Sequence, residues 1–402
     1  MTLEPSLVRW LLLGAWLLVV VVATTRSRSY AAFRGIMLGV QSLILSATIP
    51  QAGVFGIAML ALHGCTVIQS MALTRPDMRP FWYRALVSQP DAFFQAGTLL
   101  SFPWAIAYAV GHPLPGWWAP YVLAAVAFVG TWRMREETVD LVVADGERVD
   151  GLRRHRHGAA EPSERPLRIG QITDPHLGAF MSPERLAGIC ERLVAREPDL
   201  VFLTGDFLTM ESQRDPRHLA RALAPLRTLE GRCFACLGNH DLEAPETVRA
   251  ALAEVGVTLL VDDAAIVQTP AGPVQVLGAD FRWRGVAEQL EALCREHPRI
   301  DGTLRILLLH APSCFSKLPE GEADLVLSGH THGDQIGLVR LGLDTTVVSL
   351  FGVSPDHGFW ARGTDRLYVH RGTGHYGFPL RIGVPGEESL VRVHRSVGRV
   401  TV

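Results

Sequence analysis

Before residue 133 the sequence is a succession of apolar runs long enough to cross a bilayer; after it, no apolar run exceeds the length of a β-strand. A lipid-facing segment must satisfy its backbone within itself, whereas a water-facing one need not, so the two parts fold under different rules. The 402 residues also exceed one ordinary domain. The positive mean hydropathy, +0.19, comes almost wholly from the first part. Spans are expected at residues 7–23 (apolar but for Arg9), 31–49, 52–73, 93–110 and 117–132. Trp117, Trp118 and Trp132 flank the last as interfacial anchors. A cleaved leader fits poorly, because further spans follow at once and Arg26 and Arg28 come after the first run.

Arginine placement sets the expected orientation. Arg26 and Arg28 lie between spans one and two with Arg34 at the start of the second, Arg75, Arg79 and Arg84 lie between three and four, and Arg133 and Arg135 after five. The loops around Pro50 and Gly111 hold neither Lys nor Arg. The positive-inside rule then puts the N-terminus outside and everything after residue 133 in the cytoplasm: a multi-pass inner-membrane protein. Within the spans His63 is the one deep ionisable residue, and Gln41, Gln69 and Gln95 are uncharged, which favours an anchor over a transporter. The net charge of −2 gives no basic field, so nucleic acid is not an expected partner. Six cysteines without a disulfide framework suit a reducing compartment. Cys233 and Cys236 form a C-x-x-C on a strand-like run, where i and i+3 face opposite ways, so a buried strand is expected there rather than a redox pair.

Residues 133–166 read as a juxtamembrane segment with a first strand at 138–143. Its basic stretch, Arg153, Arg154, His155, Arg156 and His157, is either a contact for anionic headgroups or a solvated insertion between strands. From residue 167 strands and helices alternate, predicting a layered α/β domain to residue 402. Ser182 followed by Pro183 opens one helix, with Leu186, Ile189, Cys190, Leu193 and Val194 on its apolar face.

Polar clusters end five of the apolar runs. The first is Asp174-Pro175-His176, the second Gly205-Asp206, the third Gly238-Asn239-His240-Asp241, the fourth His310, and the last Gly329-His330-Thr331-His332-Gly333. In a strand, i and i+2 share a side, so His330 and His332 can aim at one volume. This ordered set resembles the calcineurin-like metallophosphoesterases over roughly residues 138–402. The glycine-rich tail further resembles the bacterial membrane-associated subgroup. The resemblance implies two mixed β-sheets packed as a sandwich and flanked by helices. By position, Asp174, His176, Asp206 and His332 would hold one metal and Asp206, Asn239, His310 and His330 a second, with Asp206 bridging. Mixed carboxylate, imidazole and amide donors suit Mn, Fe or Zn. A hydroxide shared by two divalent ions would attack phosphorus, and His240 would protonate the leaving oxygen. In part of the family an acidic residue three positions after the Gly-Asp aspartate orients that histidine. Here the position is Thr209, leaving Asp241 as a candidate partner; Asp334 stands where another glycine is common. His375 reads as a loop residue.

The expected activity is therefore hydrolysis of a phosphoester or pyrophosphate bond by a membrane-anchored dimetal enzyme. A lipid-linked substrate such as UDP-2,3-diacylglucosamine, known in the family, is one candidate. Nucleotides or phosphoproteins are another. An inactive domain serving as membrane sensor or scaffold is the reading of a different class; it would have lost ligands, and none is missing.

Overall fold

The computed structural model describes residues 4–144, 148–155, 165–352 and 354–396. Arg156 and His157 of the basic stretch lie outside them.

The first part is helical. It runs through α1 (Pro5–Ala23), α2 (Arg28–Thr48), α3 (Gly56–Ala72), a single turn α4 (Phe81–Tyr83), α5 (Gln89–Leu100), α6 (Phe102–Ala109) and α7 (Ala119–Trp132). Two helical segments, Pro5–Ala23 and Arg28–Ala72, are long and apolar enough to cross a membrane, and Ala119–Trp132 is a shorter apolar helix. Exposed Leu11, Leu17, Val21, Ile36, Leu43 and Val126 give these helices the outward apolar faces of lipid-embedded segments. The stretch expected as one span at 93–110 is two helices, α5 and α6, meeting at Ser101, where Pro103 removes a helical donor. Inside the bundle Arg34 hydrogen-bonds Ser70, and Gln95 donates to Asp91 at 2.7 Å.

The second part is a four-layer α/β/β/α sandwich. Its elements are β1 (Met134–Ala144), β2 (Val149–Arg154), β3 (Leu167–Ile172), α8 (Pro183–Ala195), β4 (Leu200–Leu203), α9 (Pro216–Leu223), β5 (Cys233–Ala235), α10 (Pro245–Val255), β6 (Thr258–Leu259), β7 (Asp263–Thr269), β8 (Gly272–Gly278), α11 (Val286–Glu296), β9 (Leu304–Leu308), β10 (Leu325–Ser328), β11 (Gly358–Gly363), β12 (Asp365–Val369) and β13 (Gly386–Ser396). One sheet has the order β1-β13-β3-β4-β5-β6, the other β2-β11-β12-β10-β9-β8-β7. Both are mixed: β3 to β6 and β8, β9, β10, β12 run parallel, with antiparallel neighbours at β13/β3, β7/β8 and β11/β12.

Apolar side chains of both sheets, among them Ile169, Phe202, Val276, Ile306, Leu327 and Val391, fill the space between them. Helices α8, α9 and α10 cover one outer face and α11 the other. The apolar stripe of α8 buries Leu186, Ile189, Cys190 and Leu193, and Ser182 caps it by accepting from the Arg185 amide at 3.1 Å. Cys233, in β5, and Cys236, just past it, are buried and free. The described part of the basic stretch continues a strand. Arg153 and Arg154 lie in β2, an edge strand paired with β11; Arg154 binds Asp356 at 2.5 Å and lies 4.7 Å over the Trp360 ring.

The sandwich is docked on the bundle through the loops that follow β3 and β4. Arg26 donates to Gln213 at 2.8 Å, Gln89 to the Ala179 carbonyl at 3.1 Å, and Arg214 pairs with Asp77 at 3.1 Å. Phe180 packs on Phe128 and Trp132, with centroids 5.8 and 5.9 Å apart. Glu211 is sealed into this contact. Its exposure is 2 %, and burial raises its pKa to about 7 against the pull of Arg84, Arg79 and Gln69. A carboxyl raised in the fold binds its proton more tightly there than in the unfolded chain, so stability falls as pH rises from about 4.5 to 7. The full loss is about 3 kcal/mol. Glu211→Gln removes it. In detergent, its melting temperature should exceed that of the parent by a margin that widens from pH 5 to pH 8. A margin independent of pH would show that Glu211 is not buried as a carboxyl.

Candidate metal centre

Every ligating type in the five motifs lies just past the carboxyl end of a strand. Asp174 and His176 follow β3, Asp206 follows β4, Asn239 and His240 follow β5, His310 follows β9, and His330 and His332 follow β10. These strands run parallel within their own sheets, so the eight side chains gather at one edge of the sandwich. Asp174, His176, Asp206, His310 and His332 are all less than a tenth exposed.

The gathering is held by unusual backbone. Asp174, His176, Asp206, His330 and His332 all have left-handed φ, between 45° and 69°. Non-glycine residues rarely adopt it, and concentrated strain of this kind is a mark of functional loops. Cross-loop hydrogen bonds impose it. The Asp174 amide donates to the Gly205 carbonyl at 3.0 Å and the His176 amide to the Asp206 carbonyl at 3.2 Å. The His330 amide donates to Asp174 Oδ2 at 2.9 Å and the His240 amide to Asp206 Oδ1 at 2.9 Å. Gly238 and Gly329 are required by closeness: a Cβ would overlap Asp206 Oδ1 at the first, and Asp174 Oδ2 and Thr173 Oγ1 at the second.

Two donor groups result. Asp174, His176 and His332 form one, and Asp206, His310 and His330 the other, with the ligand atoms of each group within 4.8 Å of one another. In the first, His332 Nε2 is 3.5 Å from Asp174 Oδ1 and 3.2 Å from His176 Nε2. His176 Nε2 also lies 3.7 Å from Asp206 Oδ2, which in turn is 3.3 Å from His310 Nε2, so Asp206 stands between the groups. Asn239 Oδ1 is 3.3 Å from His310 Nε2. His310 Nδ1 donates to the Thr204 carbonyl at 2.6 Å, which turns its Nε2 inward.

The charges fit a cation. Burial lowers the pKa of His176 to about 3 and of His330 to about 4, and burial with neighbouring His176 and Arg381 takes His332 well down, so all three are neutral lone-pair donors. Burial raises Asp174 to about 6, with Asp206 adding to it. Burial alone would lower His310, but Asp206 and Asp174 outweigh it and raise it to about 10. Without metal a protonated histidine thus supplies the positive charge between two buried carboxylates; divalent ions would supply it with both as ligands.

His240 stands at the rim, half-buried. Its partner is not Asp241, as the sequence had left open. Its Nδ1 lies 3.3 Å from Glu243 Oε1, and burial, which lowers its pKa, is outweighed by Glu243 and Asp206, which raise it. Asp241 instead accepts the amides of Asp206, Phe207 and Gly238 at 2.7, 2.8 and 2.8 Å. Thr209 caps the Leu177 carbonyl at 2.7 Å. Asp334 turns away to accept from Thr346 at 3.0 Å. Sequence reading missed Tyr376, whose ring lies 4.7 Å from that of His176 and 4.4 Å from that of His240. No motif carries it; Thr373 and Gly374 bring it in by binding the Thr173 and Asp174 carbonyls. His375, expected as a plain loop residue, is buried against Phe180.

Comparison with known proteins agrees with this geometry. Residues 167–334 match the family model described as calcineurin-like phosphoesterase. Phosphodiesterase YaeI of Escherichia coli is 27% identical over 54% of this chain and 82% of its own. UDP-2,3-diacylglucosamine pyrophosphatase LpxG of Chlamydia muridarum is 28% identical over 59% and 84%. A transmembrane protein with metallophosphoesterase domain from Bos taurus is 26% identical over 56% and 52%.

Gly329→Ala tests the packing argument. It should leave the far-ultraviolet dichroism near that of the parent while weakening metal retention at least tenfold, because the added methyl displaces the Asp174 carboxylate. Unchanged metal content would mean that the close approach at Gly329 does not set the centre.

Proposed function

We propose that this chain, whose second part is a calcineurin-like metallophosphoesterase domain hydrolysing phosphoester bonds, is a multi-pass membrane enzyme acting on a lipid-linked substrate at the cytoplasmic surface. The observation that carries the reading is the pair of donor groups sharing Asp206. Asp174, His176, Asp206 and His332 would hold one divalent ion and Asp206, Asn239, His310 and His330 the other, with Mn, Fe or Zn suited to the donors. Such ions activate water and offset charge on phosphoryl oxygens.

The residues of the chain do the rest. His240, whose pKa Glu243 and Asp206 raise, gives its proton to the leaving oxygen as the bond to phosphorus breaks. Glu243 orients the imidazole through Nδ1. Tyr376 covers His176 and His240 and narrows solvent access to the centre. The apolar helices support attachment to a membrane. Exposed Leu341, Leu350 and Phe351 add to it, on an excursion whose Arg340 lines a cleft with Arg133 and Arg135 at the end of α7. UDP-2,3-diacylglucosamine, the substrate in the name of one relative, is a lipid-linked pyrophosphate that fits this setting.

His240→Ala should lose rate with alkyl leaving groups by ~10²–10⁴-fold, the range for general acid catalysis. The loss should shrink with p-nitrophenol, which leaves without a proton; equal losses for both would remove the general-acid role. Sidedness is tested separately. Fused after Val402, green fluorescent protein should fluoresce and alkaline phosphatase should be inactive. The opposite pattern would place the centre outside and discard cytoplasmic substrates.

A further inference from the structure

We propose that the cavity of about 340 Å³ between the metal centre and the helix bundle is the seat of the alkyl chain and adjoining ester of a phosphoester amphiphile taken from the bilayer. The proposal rests on the phosphoesterase reading of the centre and adds where the rest of the substrate lies. The cavity starts at the centre itself: His176 lines it, and Tyr376, stacked on His176 and touching His240, forms the wall common to both. It ends among the helices, where Phe33 and Met37 of α2, Leu73 beyond α3 and Ala92 of α5 line it. A phosphorus atom beside His176 thus has an apolar route toward the bundle from the reacting position.

Two features decide the chemistry of the occupant. The walls are apolar over most of their area, Phe33, Met37, Leu73 and Ala92 among them, and on the bundle side they belong to helices whose other faces are turned outward with exposed apolar side chains. An alkyl chain leaves lipid there for a largely apolar surface. Polar groups also line the same space. Arg34, Gln69, Ser88, Asp91 and Gln95 line it from the bundle, and Glu211 from the loop after β4. Polar groups shut away from bulk water need partners, so those lining the cavity call for a ligand atom. A hydrocarbon alone cannot supply one. The hydroxyl, ester or amide oxygens that join a chain to a phosphorylated headgroup can, by accepting from Arg34 or Gln69.

The test uses the full chain in detergent with Mn²⁺ and two synthetic diesters, hexadecyl 4-nitrophenyl phosphate and ethyl 4-nitrophenyl phosphate. They share the bond broken and the leaving group and differ only in the chain. The parent should favour the hexadecyl diester more than tenfold in kcat/KM, and Ala92→Trp, which fills the cavity, should bring that ratio down at least tenfold. A ratio that is the same in parent and variant overturns the proposal. Cleavage of neither diester by the parent counts against the phosphoesterase reading, and a second measurement then decides the cavity without turnover. It also serves if Ala92→Trp does not fold. Hexadecyl phosphate bearing a mid-chain diazirine should label peptides containing Phe33, Met37 or Ala92 on irradiation, and unmodified hexadecyl phosphate should suppress the labelling. Labelling spread over the outer faces of α1 and α7 without such suppression overturns the proposal.

Discussion

The Asp241 carboxylate accepts three backbone amides, from Asp206, Phe207 and Gly238, in a fully buried position. That one group ties the loop after β4 to the loop after β5. It fixes Asp206 in left-handed backbone and leaves the Asp206 side chain free to stand between the two donor groups. A buried carboxylate satisfied by backbone donors is worth more than a surface pair, because removing it would strand all three amides. The remaining loops are then built outward from Asp206: His176 hangs on its carbonyl, His240 on its carboxylate, and His330 on the neighbouring Asp174. Strain at five ligands is tolerated because these bonds over-determine it.

The donors were legible in the sequence because each follows a strand, and strand ends of a parallel sheet converge whatever the intervening residues are. What the sequence hid depends on contacts between distant loops. Tyr376 sits in a glycine-rich tail with no periodic signal, and only the binding of Thr373 and Gly374 to the β3 loop puts it over the site. Glu243 had a faint local sign, a carboxylate three residues beyond His240 on a turn. The expectation that Asp241 would orient His240 failed because the buried carboxylate was already committed to backbone. Strands β2, β7 and β11 were missed where polar residues interrupt alternation, as at Arg153 and Arg154, whose charges are handled by exposure and by Asp356. The apolar run at 93–110 looked like one span although Pro103 in it marks the break between α5 and α6.

The loops that carry the donors are also the loops that meet the membrane part. Residues 178–180 follow the first motif and touch Arg84, Gln89 and Phe128; residues 210–214 follow the second and touch Arg26 and Asp77. Loops after β3 and β4 cannot shift without disturbing both the centre and its contact with the helices. The bundle therefore forms part of the surroundings of the centre: residues of α2 and α5 line the same cavity as His176 and Tyr376.

The central claim is that one shared carboxylate, Asp206, sits between two metal ions. Anomalous diffraction at the manganese edge from crystals grown with Mn²⁺ tests it directly. Two peaks are expected, one among Asp174, His176 and His332 and one among Asn239, His310 and His330, both within coordination distance of Asp206. A single peak, or two that do not share Asp206, would contradict the account.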